Sequence, residues 1–386
     1  MTRIFWIVTS IGPYHHARFN ALAKIGRSDL VVAEIAARLG KYPWTRVEGG
    51  GYTRKTLFPE ATLESLQPAL VASRLMRLLI QTRPDVCVVT GYSNLWDKAA
   101  AIQTRIWGKI SLTTFVTTEP DRPRPGWKET LKSLLLRSFF DGVSCTGSRS
   151  RDYLLKLGVR RDRIKVCGNV VDNDHFAVPR ERRNLSLPDG PFFAAVARFS
   201  PEKNLLALLD AYASYAARGA GRGNAPWPLV VCGSGPLDAV IRARADRVAT
   251  GRVVFPGFLG YDELPEVYQR AGCFVLPSIS EPWGLAVNEA MAAGTPVLVS
   301  DRCGCAPDLM RSGENGFIFS PMNVKELIGL MEEITAMSAV GRIEMGRRGQ
   351  KIIASFTPVV WAQNFIDLVD HCTERRTGAK SPSASR

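Results

Sequence analysis

The chain of 386 residues is 46% hydrophobic and carries a formal net charge of +14. This length exceeds what one hydrophobic core supports, so we expect two domains. No run of about eighteen residues is apolar and free of charge, which argues against a transmembrane helix, and the N-terminus lacks the cleavage site of a signal peptide. The eight cysteines do not show the spacing of a zinc site, so no bound metal is expected, and the occurrence of several of them in apolar runs is typical of a cytoplasmic protein.

In the first half of the chain, short apolar runs alternate with segments of helical periodicity. The runs predict strands near Ile4–Thr9, Leu30–Ile35, Val86–Thr90, Leu112–Thr117 and Gly142–Cys145. The intervening segments predict helices near His15–Lys24, Leu63–Gln81, Leu95–Trp107, Lys128–Phe140 and Arg149–Leu157. This alternation indicates an α/β domain with a parallel sheet that helices cover on both faces.

The positive charge is concentrated in the same half. Residues 1–178 contain 27 Lys and Arg against 15 Asp and Glu, whereas residues 179–386 contain 23 against 21. Two segments, 73–83 and 121–140, combine basic and apolar side chains at helical spacing, with Lys128 and Lys132 one turn apart. Such a surface predicts peripheral contact with an anionic membrane; a solvated helix face is the alternative. Nucleic acid is not an expected partner, because no nucleic-acid-binding motif is present.

A segment rich in Pro, Asp and Arg, residues 172–191, separates the two halves and predicts a domain boundary and hinge. Strands are then expected near 192–198, 229–232, 252–255, 273–277, 296–299 and 317–319, so the second half repeats the α/β plan. Residues 218–228 are predicted to form a surface loop and Pro358–His371 a helix.

The segment Ser278–Glu289, SISEPWGLAVNE, is the most informative part of the chain. It follows an apolar run that predicts a buried strand, and it leads into a predicted helix. Glu281 would lie in the loop at the carboxyl end of the strand, where open α/β sheets bind ligands, and Glu289 inside the helix. A phosphate at the helix N-terminus would be held by free backbone N–H groups of Gly284, Leu285 and Ala286. Two carboxylates for hydroxyl groups beside a phosphate cradle predict a nucleotide-sugar site.

The spacing Glu281-x7-Glu289 in this setting resembles the motif of retaining glycosyltransferases of family 4, which have the two-domain GT-B fold. Three further segments resemble the family in the expected order. They are 196–212 with an Arg and a Lys, 230–236 with a Gly-rich turn, and 294–319 with Asp308 at the family's acidic position.

The resemblance implies an α/β fold of GT-B architecture, with two Rossmann-like parallel-sheet domains facing across a nucleotide-sugar cleft. The acceptor domain would span residues 1–175 and the donor domain residues 190–356. The C-terminal helix, 358–373, would pack back on the first domain, and residues 374–386 would form a disordered tail.

The resemblance also implies the roles of the site residues. Arg198 and Lys203 would contact the diphosphate, where fixed cations stabilise the charge that develops on the leaving group. Glu281, the third residue of this predicted catalytic set, would face the transferred sugar, and Glu289 would accept hydrogen bonds from ribose hydroxyls. The nucleotide cleft would also be lined by the turn at Ser234 and Gly235.

The first half departs from the family pattern at two places. The loop after the first strand has one glycine, Gly12, where many members have two, and His15 and His16 follow it. Gly12 would still allow close approach of the donor; the histidines either face the acceptor side or have surface and capping roles. Glu119 stands where the family often has a histidine that contacts the donor sugar, so it is an acceptor-side carboxylate or a plain loop residue.

We therefore expect a retaining, metal-independent glycosyltransferase without a cofactor, which moves a sugar from a nucleotide-diphosphate sugar to a glycan or lipid-linked acceptor. The expected setting is polysaccharide or lipopolysaccharide-type glycolipid biosynthesis, in the cytoplasm or on the inner face of the plasma membrane. One alternative is a nucleotide-sugar 2-epimerase of GT-B architecture, which would form its product without an acceptor. The other is a non-catalytic basic module that binds membrane or nucleic acid.

Overall fold

The computed structural model describes residues 1–38, 47, 49–91, 94–119, 125–179, 185–221, 225–249 and 252–378. Within these ranges the chain divides into two compact units. The N-terminal unit comprises residues 1–119, 125–170 and 358–378, and the C-terminal unit comprises residues 171–357. Both are α/β units built on parallel sheets, which confirms the predicted fold class.

Strands and helices alternate along the N-terminal unit. Its strands are β1 (Thr2–Val8), β2 (Ser28–Arg38), β3 (Thr53–Thr62), β4 (Val86–Val89), β5 (Ile110–Phe115), β6 (Gly142–Cys145) and β7 (Ile164–Val166). Its helices are α1 (Pro13–Lys24), α2 (Pro68–Thr82), α3 (Leu95–Ile106), α4 (Gly126–Phe139) and α5 (Ser148–Lys156), followed at the end of the chain by α14 (Pro358–Thr377). Among the described residues the strands form one parallel sheet in the order β3-β2-β1-β4-β5-β6-β7.

The central strands of this sheet are continuous apolar runs because both of their faces are covered. All four residues of β4, Val86–Val89, are fully buried. The helix α14 covers one face through Trp361 and Phe365, and the ring of Phe365 lies 4.6 Å from the ring of Trp6 in β1. The apolar sequence of each central strand is thus explained by the helices packed against it.

The C-terminal unit repeats the alternation. Its strands are β8 (Phe193–Val196), β9 (Leu229–Cys232), β10 (Val253–Gly257), β11 (Cys273–Leu276), β12 (Val297–Ser300) and β13 (Gly316–Phe319). Its helices are α6 (Asn173–Ala177), α7 (Leu205–Gly221), α8 (Asp238–Val248), α9 (Leu264–Arg270), α10 (Leu285–Ala292), α11 (Ala306–Leu309), α12 (Val324–Ala336) and α13 (Ala339–Ile353). In the described part of the unit the strands form a parallel sheet in the order β10-β9-β8-β11-β12-β13.

Several local predictions were wrong. The expected helix Leu63–Gln81 is a short 3₁₀ turn, Leu63–Ser65, followed by α2, because Pro68 restricts Gln67 to an extended backbone. The strands β3 and β7 were not predicted, since neither is a continuous apolar run: β3 is largely exposed and β7 is half-buried. The predicted loop 218–228 begins later, because α7 continues through Gly221; residues 222–224 lie outside the described residues.

The boundaries of the units also differ from the predicted ones. Residues 171–175, which we assigned to the first domain, belong to the C-terminal unit. The helix α6, capped by the carboxylate of Asp172, places Phe176 against the rings of Tyr261 and Tyr268 in that unit. At the other end, α14 runs through Thr377, so residues 374–377 are helical rather than disordered; residues 379–386 lie outside the described residues. Arg376 near this helix end pairs with Asp141 at 3.4 Å.

The helix α4 differs from its prediction in the position of one lysine. Lys132 does not extend a basic face with Lys128, because it lies on the buried face of α4. Its ammonium donates to the hydroxyl of Tyr153 at 2.9 Å and lies 4.9 Å from the ring centre of Phe115. The exposed face of α4 carries apolar side chains, which are Trp127, Leu131 and Leu134.

One stretch of the described chain, Ala339–Thr377, has the length and mean hydropathy, 1.4, of a membrane-spanning helix. It contains two helices, α13 and α14, with a break at residues 354–357. The apolar side chains of α14 pack on α1 and on the sheet of the N-terminal unit. We therefore interpret its composition as that of helices in a folded core.

Candidate active site

The sheet of the C-terminal unit has a point at which the direction of winding reverses. From β8 the chain proceeds through β9 to β10 on one side, and from β11 through β12 to β13 on the other, while β8 and β11 are hydrogen-bonded neighbours. Open α/β sheets bind ligands in the crevice at the carboxyl ends of such strands. The loops that follow β8 and β11 carry the predicted residues of the site, so the fold brings both segments to one edge.

The loop after β8 presents Arg198 and Lys203. A 3₁₀ turn, Pro201–Lys203, closes with Asn204 in the left-handed region at φ 55°. Asparagine is one of the few residues with a side chain that adopt this region readily, so Asn204 can close the turn without marked strain. Arg198 is half-buried, and it makes no ion pair or hydrogen bond through its side chain to any residue in the described ranges. Its guanidinium remains available for an anion.

The ammonium of Lys203 and the carboxylate of Glu281 form an ion pair across the two loops. The side chains are 19% and 13% exposed, so the pair is partly desolvated and attracts more strongly than a surface pair. The backbone reinforces this contact, since the N–H of Ile279 donates to the carbonyl of Glu202 at 2.9 Å. Two residues 78 positions apart in sequence are thereby held as a pre-assembled cation and anion.

The loop that carries Glu281 is fixed by the segment after β12. The N–H of Gly304 donates to the carbonyl of Glu281 at 2.8 Å, and the N–H of Cys305 donates to the carbonyl of Trp283 at 3.0 Å. A side chain at position 304 would place its Cβ 1.9 Å from the carbonyl oxygen of Pro282. Gly304 is therefore required for this close approach, a requirement that the motif alone did not reveal.

Cys303 and Cys305 flank this glycine as buried free thiols. Burial, with the charge of Glu281 and other neighbours adding to it, raises the pKa of the Cys305 thiol well above its ordinary value. A protonated thiol is a poor metal ligand. Within the described ranges no group of three or more His, Cys, Asp and Glu side chains is placed to hold a metal ion.

The helix α10 begins directly after this loop. Gly284 precedes it in the left-handed region at φ 103°, so a residue with a side chain would be strained there. No acidic side chain stands in the first turn, and the backbone N–H groups of Leu285 and Ala286 open the helix. Such a terminus favours an anion through its free N–H groups and the helix dipole.

Glu289 lies on α10, one turn further from the loop. It is 2% exposed, and its Oε2 accepts a hydrogen bond of 2.5 Å from the hydroxyl of Tyr268 in α9. Tyr268 is itself fixed by Thr295, whose hydroxyl donates to the carbonyl of Tyr268 at 2.6 Å. The sequence analysis missed Tyr268, because a tyrosine in an apolar helix is typical of an ordinary core residue.

The turn after β9 packs closely against the loop that contains Arg198. The N–H of Phe199 donates to the carbonyl of Ser234 at 2.8 Å. A Cβ at Gly233 would lie 1.9 Å from the carbonyl oxygen of Ala197, and one at Gly235 would lie within 3 Å of the backbone of Phe199. The glycines therefore allow backbone-to-backbone packing beside the site, while Ser234 is exposed.

The predicted residues of the N-terminal unit lie after β1. Gly12 precedes α1 with φ −91°, a backbone that any residue adopts. His15 has a buried Nδ1 without a hydrogen-bond partner in the described structure, and burial together with the charge of Arg18 lowers its pKa to about 3. His16 contacts the hydroxyl of Tyr52 at 3.1 Å, and burial lowers its pKa as well. Both histidines are therefore neutral at physiological pH.

Glu119 lies in the same unit after β5. Its side chain is 55% exposed and forms an ion pair with Lys156 of α5. An exposed pair of this kind contributes little to stability. The structure gives Glu119 the environment of a surface residue, with its carboxylate reachable from solvent.

Comparison with known proteins shows that the chain is similar to glycosyltransferases. Residues 178–351 match the family model described as "Glycosyl transferases group 1". The chain is 29% identical over 325 residues to the "D-inositol 3-phosphate glycosyltransferase" of Acidothermus cellulolyticus, an alignment that covers 76% of this chain and 70% of that protein. It is 36% identical over 165 residues to the "2-deoxystreptamine glucosyltransferase" of Streptomyces kanamyceticus, covering 40% of this chain and 41% of that protein.

Solved structures show the same architecture. HepE of Anabaena in complex with UDP superimposes with a TM-score of 0.74 at 17% identity, covering 96% of this chain and 99% of that chain. The sucrose-phosphate synthase of Thermosynechococcus elongatus superimposes with a TM-score of 0.76 at 18% identity, covering 98% of this chain and 100% of that chain. At these identities the likeness establishes the GT-B fold and leaves the substrate to the site itself.

Proposed function

Because residues 178–351 match the group 1 glycosyltransferases and the fold is GT-B, we propose that this protein is a retaining glycosyltransferase of family 4 with a nucleotide-diphosphate sugar as donor. The observation that supports this proposal best is the ion pair of Lys203 and Glu281 at the carboxyl ends of β8 and β11. It lies beside the guanidinium of Arg198, which has no ion-pair partner among the described residues, and beside the N-terminus of α10. The edge therefore offers three sources of positive charge around the carboxylate of Glu281, with the carboxylate of Glu202 also in electrostatic contact with Arg198 and Lys203.

This arrangement suits cleavage of the bond between a sugar and a diphosphate. The bond from the anomeric carbon to the phosphate oxygen breaks, and negative charge accumulates on the departing diphosphate. Arg198, Lys203 and the N–H groups of α10 would stabilise that charge, which is larger in the transition state than in the bound donor. Glu281 would leave Lys203 for the sugar hydroxyls when the diphosphate takes its place.

Retention of configuration follows in this proposal from attack on the same face that the leaving group departs from. The acceptor hydroxyl forms the new bond to the anomeric carbon, and its proton goes to the departing phosphate oxygen. An NMR measurement of the anomeric coupling constant in the first product decides this point. A product of inverted configuration would contradict the proposal.

A uridine diphosphate donor is the first candidate, because HepE has been solved with UDP and with UDP-glucose. A thermal-shift comparison of UDP, GDP, ADP, dTDP and CMP tests it. A ligand at a hundred times its dissociation constant stabilises the native state by about 2.7 kcal/mol, which is readily measured. A strong shift with UDP alone supports the proposal, whereas the absence of a shift with every nucleotide would contradict the donor site.

The same screen, repeated with EDTA, tests independence of a divalent metal. We propose that Arg198 and Lys203 neutralise the diphosphate in place of a cation, so chelation should leave both the thermal shift and the transfer rate unchanged. A shift that EDTA abolishes and Mg²⁺ restores would reject metal independence and leave the transferase assignment intact.

A lipid-linked acceptor at an anionic membrane surface is the setting that the N-terminal unit favours. The exposed face of α4 carries Trp127, Leu131 and Leu134, and the ammonium of Lys128 lies 5.3 Å from the ring centre of Trp127. Exposed apolar side chains beside basic ones suit the boundary between lipid headgroups and acyl chains. We therefore propose that the enzyme acts in cell-envelope polysaccharide or glycolipid biosynthesis, in peripheral contact with the inner face of the plasma membrane.

A further inference from the structure

A buried carboxylate in the N-terminal unit holds the loop between β1 and α1. Glu34, in the middle of β2, is fully buried, and its Oε1 accepts a hydrogen bond of 2.9 Å from the backbone N–H of Ile11. Ile11 lies three residues beyond the end of β1, beside Gly12. A strand residue therefore reaches past its own neighbours in the sheet to bind the backbone of a loop.

Residues of β3 donate the other hydrogen bonds that this carboxylate accepts. Arg54 donates from Nη2 to Oε1 at 2.7 Å and from Nε to Oε2 at 2.9 Å, and the hydroxyl of Thr56 donates to Oε2 at 2.6 Å. Arg54 also donates from Nη1 to the carbonyl of Val47 at 2.8 Å. Each oxygen of Glu34 thus has two donors, and one of the four is the loop amide.

This network is a costly way to stabilise a sheet. The side chain of Glu34 is fully buried and that of Arg54 is 14% exposed, and desolvation of two such charges offsets much of their attraction. Apolar residues of similar size often stabilise a core as well, so a buried ion pair is better explained by the geometry that it fixes. Here that geometry is the position of Ile11 relative to β2 and β3.

The loop that Glu34 holds lies at a ligand-binding position of the fold. In the N-terminal sheet the chain turns outward from β1 to β2 on one side and from β4 to β5 on the other, while β1 and β4 are neighbours. The loop after β1 therefore borders the crevice at the point of reversal. Loops in such crevices must be held closely, because a displacement of about 1 Å can reduce a rate about 100-fold.

We infer that Glu34 is a positioning residue for the transfer reaction, and that it acts by fixing the backbone of Ile11 and Gly12 at the crevice of the N-terminal sheet, where the acceptor would bind. This inference rests on the proposed function, but it concerns a residue outside the donor site. It separates two effects: loss of Glu34 should lower turnover, whereas nucleotide binding in the C-terminal unit should not change.

The variant Glu34→Gln keeps the size of the side chain but replaces one acceptor oxygen by an NH2 group. Because all four partners of Glu34 are donors, this NH2 group has to face either Arg54 and Thr56 or Ile11, which disrupts the geometry that holds the loop. We expect kcat to fall about 10- to 100-fold, with the dissociation constant for the nucleoside diphosphate within about twofold of the wild type. Hydrogen exchange of the peptide that covers residues 9–14 should become faster, while exchange in β11 and α10 stays unchanged. The matched control is Thr104→Val, which removes a buried hydroxyl that donates to the carbonyl of Ala100 within α3 of the same unit, outside the network of Glu34, and should leave kcat near the wild-type value.

A second variant keeps the inference testable if Glu34→Gln does not fold. Glu34→Asp keeps the charge for Arg54 but shortens the side chain by one methylene, so it withdraws the carboxylate from Ile11 and should lower kcat in the same direction. Unchanged kcat and unchanged exchange in a folded variant would overturn the inference. So would a loss of nucleotide affinity and thermal stability as large as the loss of kcat, since that result indicates a general structural role.

The experiment also distinguishes this inference from the proposed function. If the wild-type protein bound no nucleoside diphosphate and transferred no sugar, the proposed function would fail. Hydrogen exchange of the amides in residues 9–14 would still decide whether Glu34 holds the loop. If Glu34→Gln did not change this exchange, the positioning role of Glu34 would be overturned independently.

Discussion

The two sheets place different chemistry at equivalent points. Where the winding of the C-terminal sheet reverses, the carboxylate of Glu281 is paired with the ammonium of Lys203. The N-terminal sheet has a buried carboxylate near its own point of reversal, Asp97 in the first turn of α3, but the side chain of Asp97 accepts a hydrogen bond from the neutral amide of Asn94 at 2.8 Å. Burial, only partly offset by Asn94 and Lys98, raises the pKa of Asp97 to about 6.

This contrast fits the different roles that the proposed reaction gives to the two units. The C-terminal unit offers cations and a carboxylate that a charged donor can separate. In the N-terminal unit, Glu34 and His16 beside the crevice are engaged internally, by Ile11 and by Tyr52. In the proposed reaction, neutral histidines and an internally bonded carboxylate would suit an acceptor held by position more than by charge.

Removal of one member of the charged pair should give the largest effect. Lys203→Ala removes the cation that pairs with Glu281 and that would stabilise the departing diphosphate, so kcat should fall about 100- to 1,000-fold. Steady-state kinetics with the donor identified by thermal shift measure this loss. The control is Arg348→Ala, which breaks an exposed ion pair with Glu344 in the same unit and should change kcat less than twofold. Equal activity of Lys203→Ala and the wild type would reject our assignment of the site.

The exposed apolar face of α4 should be the next most sensitive feature. The double variant Leu131→Ser and Leu134→Ser should weaken binding to vesicles that contain an anionic lipid by about 10-fold, because two apolar side chains no longer enter the interface. Co-sedimentation with phosphatidylcholine vesicles, with and without phosphatidylglycerol, measures the partition.

The matched control for α4 is Ile106→Ser. Ile106 is 72% exposed at the end of α3, so this change removes a comparable apolar side chain from another helix of the same unit. An equal loss of vesicle binding in the control would mean that general hydrophobicity, and not α4, determines the contact. High salt should weaken wild-type binding by screening the basic side chains.

A smaller effect should follow from Tyr268→Phe. The change removes the hydroxyl that holds Glu289 and keeps the ring in place, so nucleotide affinity should fall about 5- to 10-fold, which corresponds to a net contribution of about 1 kcal/mol from one hydrogen bond. If Glu289 binds ribose, the variant should also discriminate less between UDP and 2′-deoxy-UDP. Tyr212→Phe is the control, because Tyr212 is an equally buried tyrosine whose hydroxyl donates to the carbonyl of Trp227. A similar loss in both variants would indicate destabilisation of the unit.

The smallest expected effect is the pH dependence that Asp97 contributes. Its pKa is raised from 3.8 to about 6, so the folded protein keeps this proton where the unfolded chain has lost it. Stability from this group is therefore present at low pH and is lost as the pH rises through about 6. Between pH 5 and pH 7 the wild type should lose about 1 kcal/mol more than Asp97→Asn. Urea unfolding at both pH values measures this difference; parallel curves would mean that Asp97 is ionised normally.

The sequence predicted the C-terminal unit more fully than the N-terminal unit. Strands such as β11 are uninterrupted apolar runs, so their position follows directly from composition, and the loop with Glu281 follows from the end of the run. The strand β3 at the sheet edge is mostly exposed, and the pattern that identified the buried strands was absent there. Lys132 was placed on the wrong face, since helical spacing does not reveal that Tyr153 and Phe115 provide a buried site for an ammonium.

The amino-acid sequence by itself determined the alternating α/β plan and the local motifs, because burial of apolar runs and the conformational demands of glycine and proline act over a few residues. Only the tertiary structure decided which distant groups meet. It brought Lys203 to Glu281, Tyr268 to Glu289 and Glu34 to Ile11. These contacts depend on strand order and on close backbone packing, as at Gly304, and neither is encoded in the spacing of residues within one segment.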